Sequence, residues 1–397
     1  MLRATATAAV LLIACLAGVS RAENYSPPVA HLSVTNALST ARVDEVLDLP
    51  LLDVLDHSPG ALAETLGVRD ATLGEYLPTQ ILEEDSSGRD KRLLILMDIG
   101  PSQSHELEFF IAYDGMPAPQ PRVFGRFVPE RKDDFAWEND KIAFRMYGPK
   151  LQQLGEVGGS GVDVWGKRVP RLIINEWYKL EAEAARSGKE AVHTDRGQGV
   201  DSYVTRDTRG CGGVGIWTGD KMAVSQNFIS SRVLANGPIR GVYELEYAKW
   251  DGGGVQVSET KRITLDAGSH FNRLQSTFHF TGKDSLTIAG GIQLHLGAKV
   301  TLDADHGTVV NWEPADMKEG MNGTSIVLPP DATAQIKQIS NHALFLFSNV
   351  KSDQPINFYA GAGWSQSPDV PDEATWIAKA NDLSARLHSP LKAEWSH

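Results

Sequence analysis

The sequence predicts an all-β protein built from packed antiparallel sheets with few helices, and three observations carry that prediction. Short apolar–polar alternating stretches follow one another through most of the chain. Turn-forming residues punctuate them, with 37 Gly and 20 Pro in 397 residues. Only two stretches carry a helical period. Consecutive strands without intervening helices favour stacked antiparallel sheets over a parallel α/β arrangement.

The elements follow in chain order. Residues 1–22 read as an export signal: Arg3 gives the basic end, 4–19 the apolar stretch, and Ser20-Arg21-Ala22 a small-x-small cleavage site. That stretch is about sixteen residues, short of the ~20 a membrane span needs, so the chain is not expected to be transmembrane. Leu12-Ile13-Ala14-Cys15 also fits a lipoprotein box, with Cys15 as the acylated residue; either processing predicts an exported, periplasmic or extracellular protein. Strand-like text begins at Val34 and includes 42–49, 92–97 and 107–113, with a polar turn at Asp85-Ser86-Ser87-Gly88. A Pro-rich linker at 114–121 predicts a small N-terminal β domain over 23–118 and a larger domain over 119–397. In the second, strands are expected at 240–250, 255–265, 271–280, 286–296 and 343–348. The helical stretches are 172–186, stopped by Gly188, and 372–387, with Ile377, Ala380, Leu383 and Leu387 on one face before Pro390.

The formal charge is −12, and more negative without Arg3 and Arg21. No Lys/Arg cluster is present, which argues against a nucleic-acid partner. Gly210-Cys211-Gly212-Gly213-Val214-Gly215 fits G-x-G-x-x-G, but polar text precedes it and strand-like text follows. A bulge or close backbone approach is therefore expected rather than a dinucleotide loop. Cys211 reads as a small buried hydrophobe.

Two segments mix charge with aromatic rings. The first, 134–149, holds Phe135, Trp137, Glu138, Asn139, Asp140, Phe144, Arg145 and Tyr147. It suits either a sugar-stacking face or a salt-bridge cluster. The second, 193–203, holds His193, Asp195, Asp201 and Tyr203 around two glycines whose sharp turns would let them converge. His193 with Asp195 is a weak metal pattern and a better acid–base one; no cofactor is required, and a divalent metal stays possible. His270, His279, His295 and His342 lie in strand-like text and read individually as structural.

The run from Phe124 to Asp140, with Ala143-Phe144-Arg145-Met146-Tyr147-Gly148-Pro149, the run from His193 to Tyr203 and Arg209-Gly210-Cys211-Gly212-Gly213, resembles the bacterial family called domain of unknown function 4861. Ser225-Gln226-Asn227-Phe228, Ala235-Asn236-Gly237-Pro238-Ile239-Arg240 and Leu265-Asp266-Ala267-Gly268-Ser269-His270 extend the resemblance over most of the chain in the same order. It implies a secreted carbohydrate-active protein with a small β-sandwich followed by a mutarotase-like β-supersandwich. It also implies kinship with dehydratases that act on uronic-acid-containing oligosaccharides, such as those from ulvan. The sequence departs from the family pattern at Gln198, where an acidic residue is usual.

Elimination from a uronate needs a base for the C5 proton, a partner for the carboxylate and an acid for the leaving oxygen. The product is a 4,5-unsaturated uronate. His193 and Tyr203 are expected as the proton-transfer pair, and Arg145, Arg209 and Asn139 as the carboxylate clamp, because a guanidinium matches a planar carboxylate. Glu138 and Asp195 would orient them, Trp137 would contact the sugar, and His270 is held in reserve. A glycoside hydrolase using Glu138 with Asp195 or Asp201, and a non-catalytic or epimerising sugar-binding protein, remain as alternatives.

Overall fold

The computed structural model describes residues 24–83, 90–155, 158–187, 193–315, 319–339 and 341–396. The export signal, Cys15 and the turn expected at 85–88 lie outside these residues. All strand ladders among them are antiparallel, and the all-β expectation holds. No helix among them is long and apolar enough to cross a membrane, which says nothing of β-barrels.

Two sheets form the first layer pair. One has the order Lys392–Ser396, Ala30–Thr35, Ser104–Ile111, Leu66–Asp70, Glu75–Tyr76; the other Arg42–Pro50, Arg92–Ile99, Thr79–Leu82. Alternation drives their packing: Leu32, Val34, Leu107 and Phe109 of one sheet meet Leu47, Leu93, Ile95 and Met97 of the other. The edge strand Lys392–Ser396 comes from the far end of the chain and pairs along Ala30–Thr35. Residues 113–122, where the linker was expected, form no helix or strand.

The main body stacks an eight-stranded sheet on a five-stranded one. The eight-stranded order is Ser230–Asn236, Arg240–Asp251, Gln256–Asp266, Phe271–Phe280, Pro355–Trp364, Met321–Val327, Thr308–Pro314, Lys299–Asp303. Its partner includes Cys211–Trp217, Leu286–Gln293 and His342–Val350. Leu245, Ile263, Leu274 and Phe358 pack between them against Val214, Ile288 and Phe345.

A further five-stranded sheet runs Gly199–Val200, Val162–Lys167, Ile142–Met146, Asp134–Asn139, Val123–Val128. One face turns Phe135, Trp137 and Phe144 into the main core. The other turns Ala136, Ala143 and Trp165 onto the helix Ile174–Ser187 through Trp177 and Tyr178. Asp134–Asn139 is buried along its whole length for this reason.

Both expected helices form, as Ile174–Ser187 and Glu373–His388. Asp372 caps the second by accepting from Thr375 N at 2.8 Å. Trp376 and Ala380 are buried against Phe271, Val310 and Trp312, with Ile377, Leu383 and Leu387 partly covered. Two short helices, Leu51–His57 and Pro149–Gln153, were not foreseen, because seven and five residues are too few to show a helical period. The Gly-rich run opens the strand Cys211–Trp217, whose register shifts between Cys211 and Gly213. That is the expected bulge.

Candidate active site

Residues 193–205 tie together side chains that are far apart in sequence. His193 is half-exposed, and its Nδ1 lies 2.9 Å from the Asp201 carbonyl oxygen and 4.0 Å from Asp201 Oδ2. With Nδ1–H donated to the carbonyl, the ring presents Nε2 as its acceptor. Asp201 is buried and receives Arg145 at 3.1 Å. Arg145 also donates to Asp163 at 2.5 and 2.8 Å, and Thr205 Oγ1 completes the Asp163 shell at 2.8 Å. The Arg145 guanidinium lies 5.0 Å from the Tyr147 ring and 4.9 Å from that of Trp165.

This network is electrostatically tense. Burial, helped by the Asp163 charge, pushes Asp201 up to about 7 although Arg145 and His193 pull it down. Burial would lower the Arg145 guanidinium, but the Asp163 and Asp201 charges overcome it and raise it. Burial raises the Tyr203 hydroxyl, helped by Glu313. Such clusters mark sites where protons are handled more often than chance allows.

Tyr203 is 3% exposed and meets the His295 ring edge-on at 5.1 Å. His295 Nδ1 is 2.5 Å from Glu313 Oε1, and its Nε2 is 2.8 Å from the Val204 carbonyl. Ser202 is held by Asn322. Sequence reasoning set His295 among the structural histidines and did not see Glu313, because their pairing depends on the fold of two distant strands.

The other expected residues are engaged within the chain. Trp137 is fully buried, stacks on Phe144 at 5.6 Å and donates Nε1–H to Asn272 at 2.8 Å. The sugar-stacking face expected at 134–149 is therefore not formed: Phe135, Trp137 and Phe144 fill the core, and among its rings only Tyr147 is partly exposed. Glu138 takes Lys167 Nζ at 2.6 Å and the Ile173 and Ile174 amides at 2.6 and 2.7 Å, so it anchors a helix start. Asn139 donates to the Asp266 and Ser269 carbonyls. Arg209 is buried, donates to Ser160 Oγ at 3.0 Å and the Val214 carbonyl at 3.1 Å, and is lowered by burial to about 10. Neither Arg145 nor Arg209 has a fork turned to solvent, since both are buried on protein partners.

Asp195 pairs with Arg168 and accepts from Gly197 and Gly199 amides, which shapes the loop rather than a metal shell. Among the described residues no three His, Cys, Asp or Glu side chains gather to hold a metal ion. Gln198 donates to Glu176 at 2.9 Å, a brace that an amide performs and an acid would not. Arg168, missed in the sequence, is a partly exposed guanidinium at this loop, over the Trp364 ring at 5.1 Å and on Gln366 at 3.0 Å. Cys211 is buried, donates to the Gly361 carbonyl at 3.1 Å, and its thiol is raised by burial. His270 lies elsewhere, in a groove on the other side of the large sheet.

An all-β protein of stacked antiparallel sheets, with a histidine-bearing loop over a buried charge network, is what the coordinates define. The chain belongs to the family described as domain of unknown function DUF4861, which it matches over residues 34–393. "Uncharacterized protein P7" of Formosa agariphila is 32% identical over 379 residues, covering 91% of this chain and 92% of that protein. Two solved Enterococcus faecalis structures are similar at low identity. A protein in glycosyl hydrolase family 38 has a TM-score of 0.46 at 10% identity, over 93% of this chain and 47% of that one. An alpha-mannosidase has 0.48 at 9%, over 93% and 46%. The chain spans about half the length of these two structures.

Proposed function

We propose that this protein is a carbohydrate-active lyase that eliminates water, or a 4-O-linked sugar, from a uronic-acid-containing oligosaccharide. The observation that supports it most is His193: half-exposed, oriented by the Asp201 carbonyl, and seated over the buried Arg145–Asp163–Asp201 network. The family resemblance to oligosaccharide dehydratases supports the same reading.

In this reading His193 Nε2 takes the C5 proton. The electron pair forms the C4–C5 double bond, and the C4 oxygen leaves with the proton that the His193 imidazolium returns; Tyr203, the expected donor, has its hydroxyl buried in the core and does not face the loop's surface. Arg145 is a positioning residue that holds Asp201 and through it the imidazole. Arg168, partly exposed at the same loop, is the guanidinium assigned to the substrate carboxylate in this reading. The hydrolase alternative is disfavoured by Glu138, whose carboxylate is committed to Lys167 and a helix start.

Mass spectrometry of uronate oligosaccharides before and after incubation tests the reaction: loss of one water means dehydration, cleavage without added water means a lyase, and cleavage with added water means hydrolysis. His193→Ala should slow formation of the ultraviolet-absorbing double bond by about 10²-fold or more, the usual worth of a positioned base. A wild-type rate removes His193 from the mechanism.

A further inference from the structure

A cavity of about 900 Å³ lies away from that loop. It is a groove between the strand Arg42–Pro50 of the first sandwich, the helix Glu373–His388 and the eight-stranded sheet. Register fixes which face of the sheet it uses. Arg273 stands opposite Tyr359, Tyr359 opposite Val327, and Val327 opposite Thr308. Directly paired residues point the same way, so Arg273 and Tyr359 lie on the face of Val310 and Trp312, and Glu313 on the other.

Most charges along the groove cancel. Arg92 and Arg240 share Asp48, Arg240 also takes Asp266, and Arg386 takes Glu45 and Asp382. Asp90, exposed at the groove, is a carboxylate without an ion pair among the described residues, and two basic features also stand out. Asp369 receives two lysines, Lys141 at 3.2 Å and Lys379 at 3.9 Å, beside the His270 ring at 3.1 Å. The two His270 ring nitrogens face Asp369 and the Ala362 carbonyl. Arg273, meanwhile, is exposed beside Tyr359 and makes no hydrogen bond or ion pair among the described residues. The groove thus carries basic side chains beyond its ion pairs, in a chain whose net charge is −12.

We propose that this groove is a second, non-catalytic binding site for an acidic oligosaccharide. Arg273 and the cations gathered on Asp369 receive its carboxylate, and the paired carboxylates of the groove accept its hydroxyls. A phosphate-rich ligand would meet as many carboxylates as cations. A ligand with many hydroxyls and one acid group per sugar uses both kinds of lining. The volume lies within the range of pockets that enclose small ligands, about 300–1,000 Å³.

Calorimetric titration of trigalacturonate tests it, with maltotriose as the neutral control. Titrations use His193→Ala protein, so that turnover at the loop does not enter. Arg273 has no hydrogen bond or ion pair to lose among the described residues, so Arg273→Ala should fold normally. It should weaken trigalacturonate binding at least about tenfold, the loss of one charge-assisted contact, and Arg273→Glu should weaken it further. Unchanged affinity in both variants overturns the proposal, as does equal binding of maltotriose or no binding of trigalacturonate. Absence of turnover by the wild-type protein, with Arg273-dependent binding intact, overturns only the lyase reading.

Discussion

Asp134 opens the strand behind the candidate site with its carboxylate fully buried: Oδ1 accepts the Gly148 amide at 3.0 Å, and Oδ2 has no hydrogen-bond partner among the described residues. Burial pushes it up to about 6 against the pull of Arg145 and Arg131. A carboxyl raised above its unfolded value of about 3.9 holds its proton longer in the native state. Its contribution is therefore most favourable below pH 4, declines as pH rises toward 6, and is a full cost above that. Asp134→Asn removes the titration, so its stability relative to wild type should climb across pH 4–6 and level off about 3 kcal/mol higher. Urea unfolding at several pH values measures it, and a flat difference curve would contradict the assignment. His342 carries the opposite sign: burial and the Arg209 charge lower it to about 4. Its neutral form fits the geometry, with Nε2 accepting the Arg209 amide at 3.3 Å. Stability from this group falls as pH drops from about 6.5 toward 4.

The loop 193–199 owes its shape to glycines with different duties. Gly199 sits at φ +144°, and a Cβ there would lie 2.1 Å from the Gly166 carbonyl oxygen. Gly197, at φ +91°, would meet nothing within 4 Å. Gly197→Ala should cost about 1–2 kcal/mol of backbone strain alone. Gly199→Ala should cost more and lower activity, because the clash displaces the ladder between Gly199 and Lys167. Equal destabilisation of the two variants would deny the close approach. Elements of this kind also show what the sequence discloses. Two glycines between acids and a histidine announced a sharp, convergent loop, and His193 does meet Asp201. The placement of Trp137 and Arg145 was not legible, because polar residues in a strand read as surface unless one knows that a sheet is covered on both faces. Arg145 finds Asp163 and Asp201 only when three strands and a loop assemble, and no local pattern announces that. His295 with Glu313 is hidden in the same way.

At the scale of the whole molecule, the proposed lyase reading makes charge a criterion among candidate substrates. A chain at −12 repels a long polyanion over most of its surface, while localised cations can admit a short one. Turnover of uronate trisaccharides should exceed that of the parent polymer at low salt, and added salt should narrow the gap by screening over about 10 Å. Faster turnover of polymer than of trisaccharide would refute this.

The strand Lys392–Ser396 gives the molecule a temporal constraint. Its partner Ala30–Thr35 lies near the opposite end of the chain, and Trp395 packs on Phe109 and donates to Asp53. During synthesis the first sandwich therefore holds one strand with an open hydrogen-bonding edge until residue 396 has been made. That edge is closed by a contact of long sequence separation, the kind that pays its loop-closure entropy before it is rewarded.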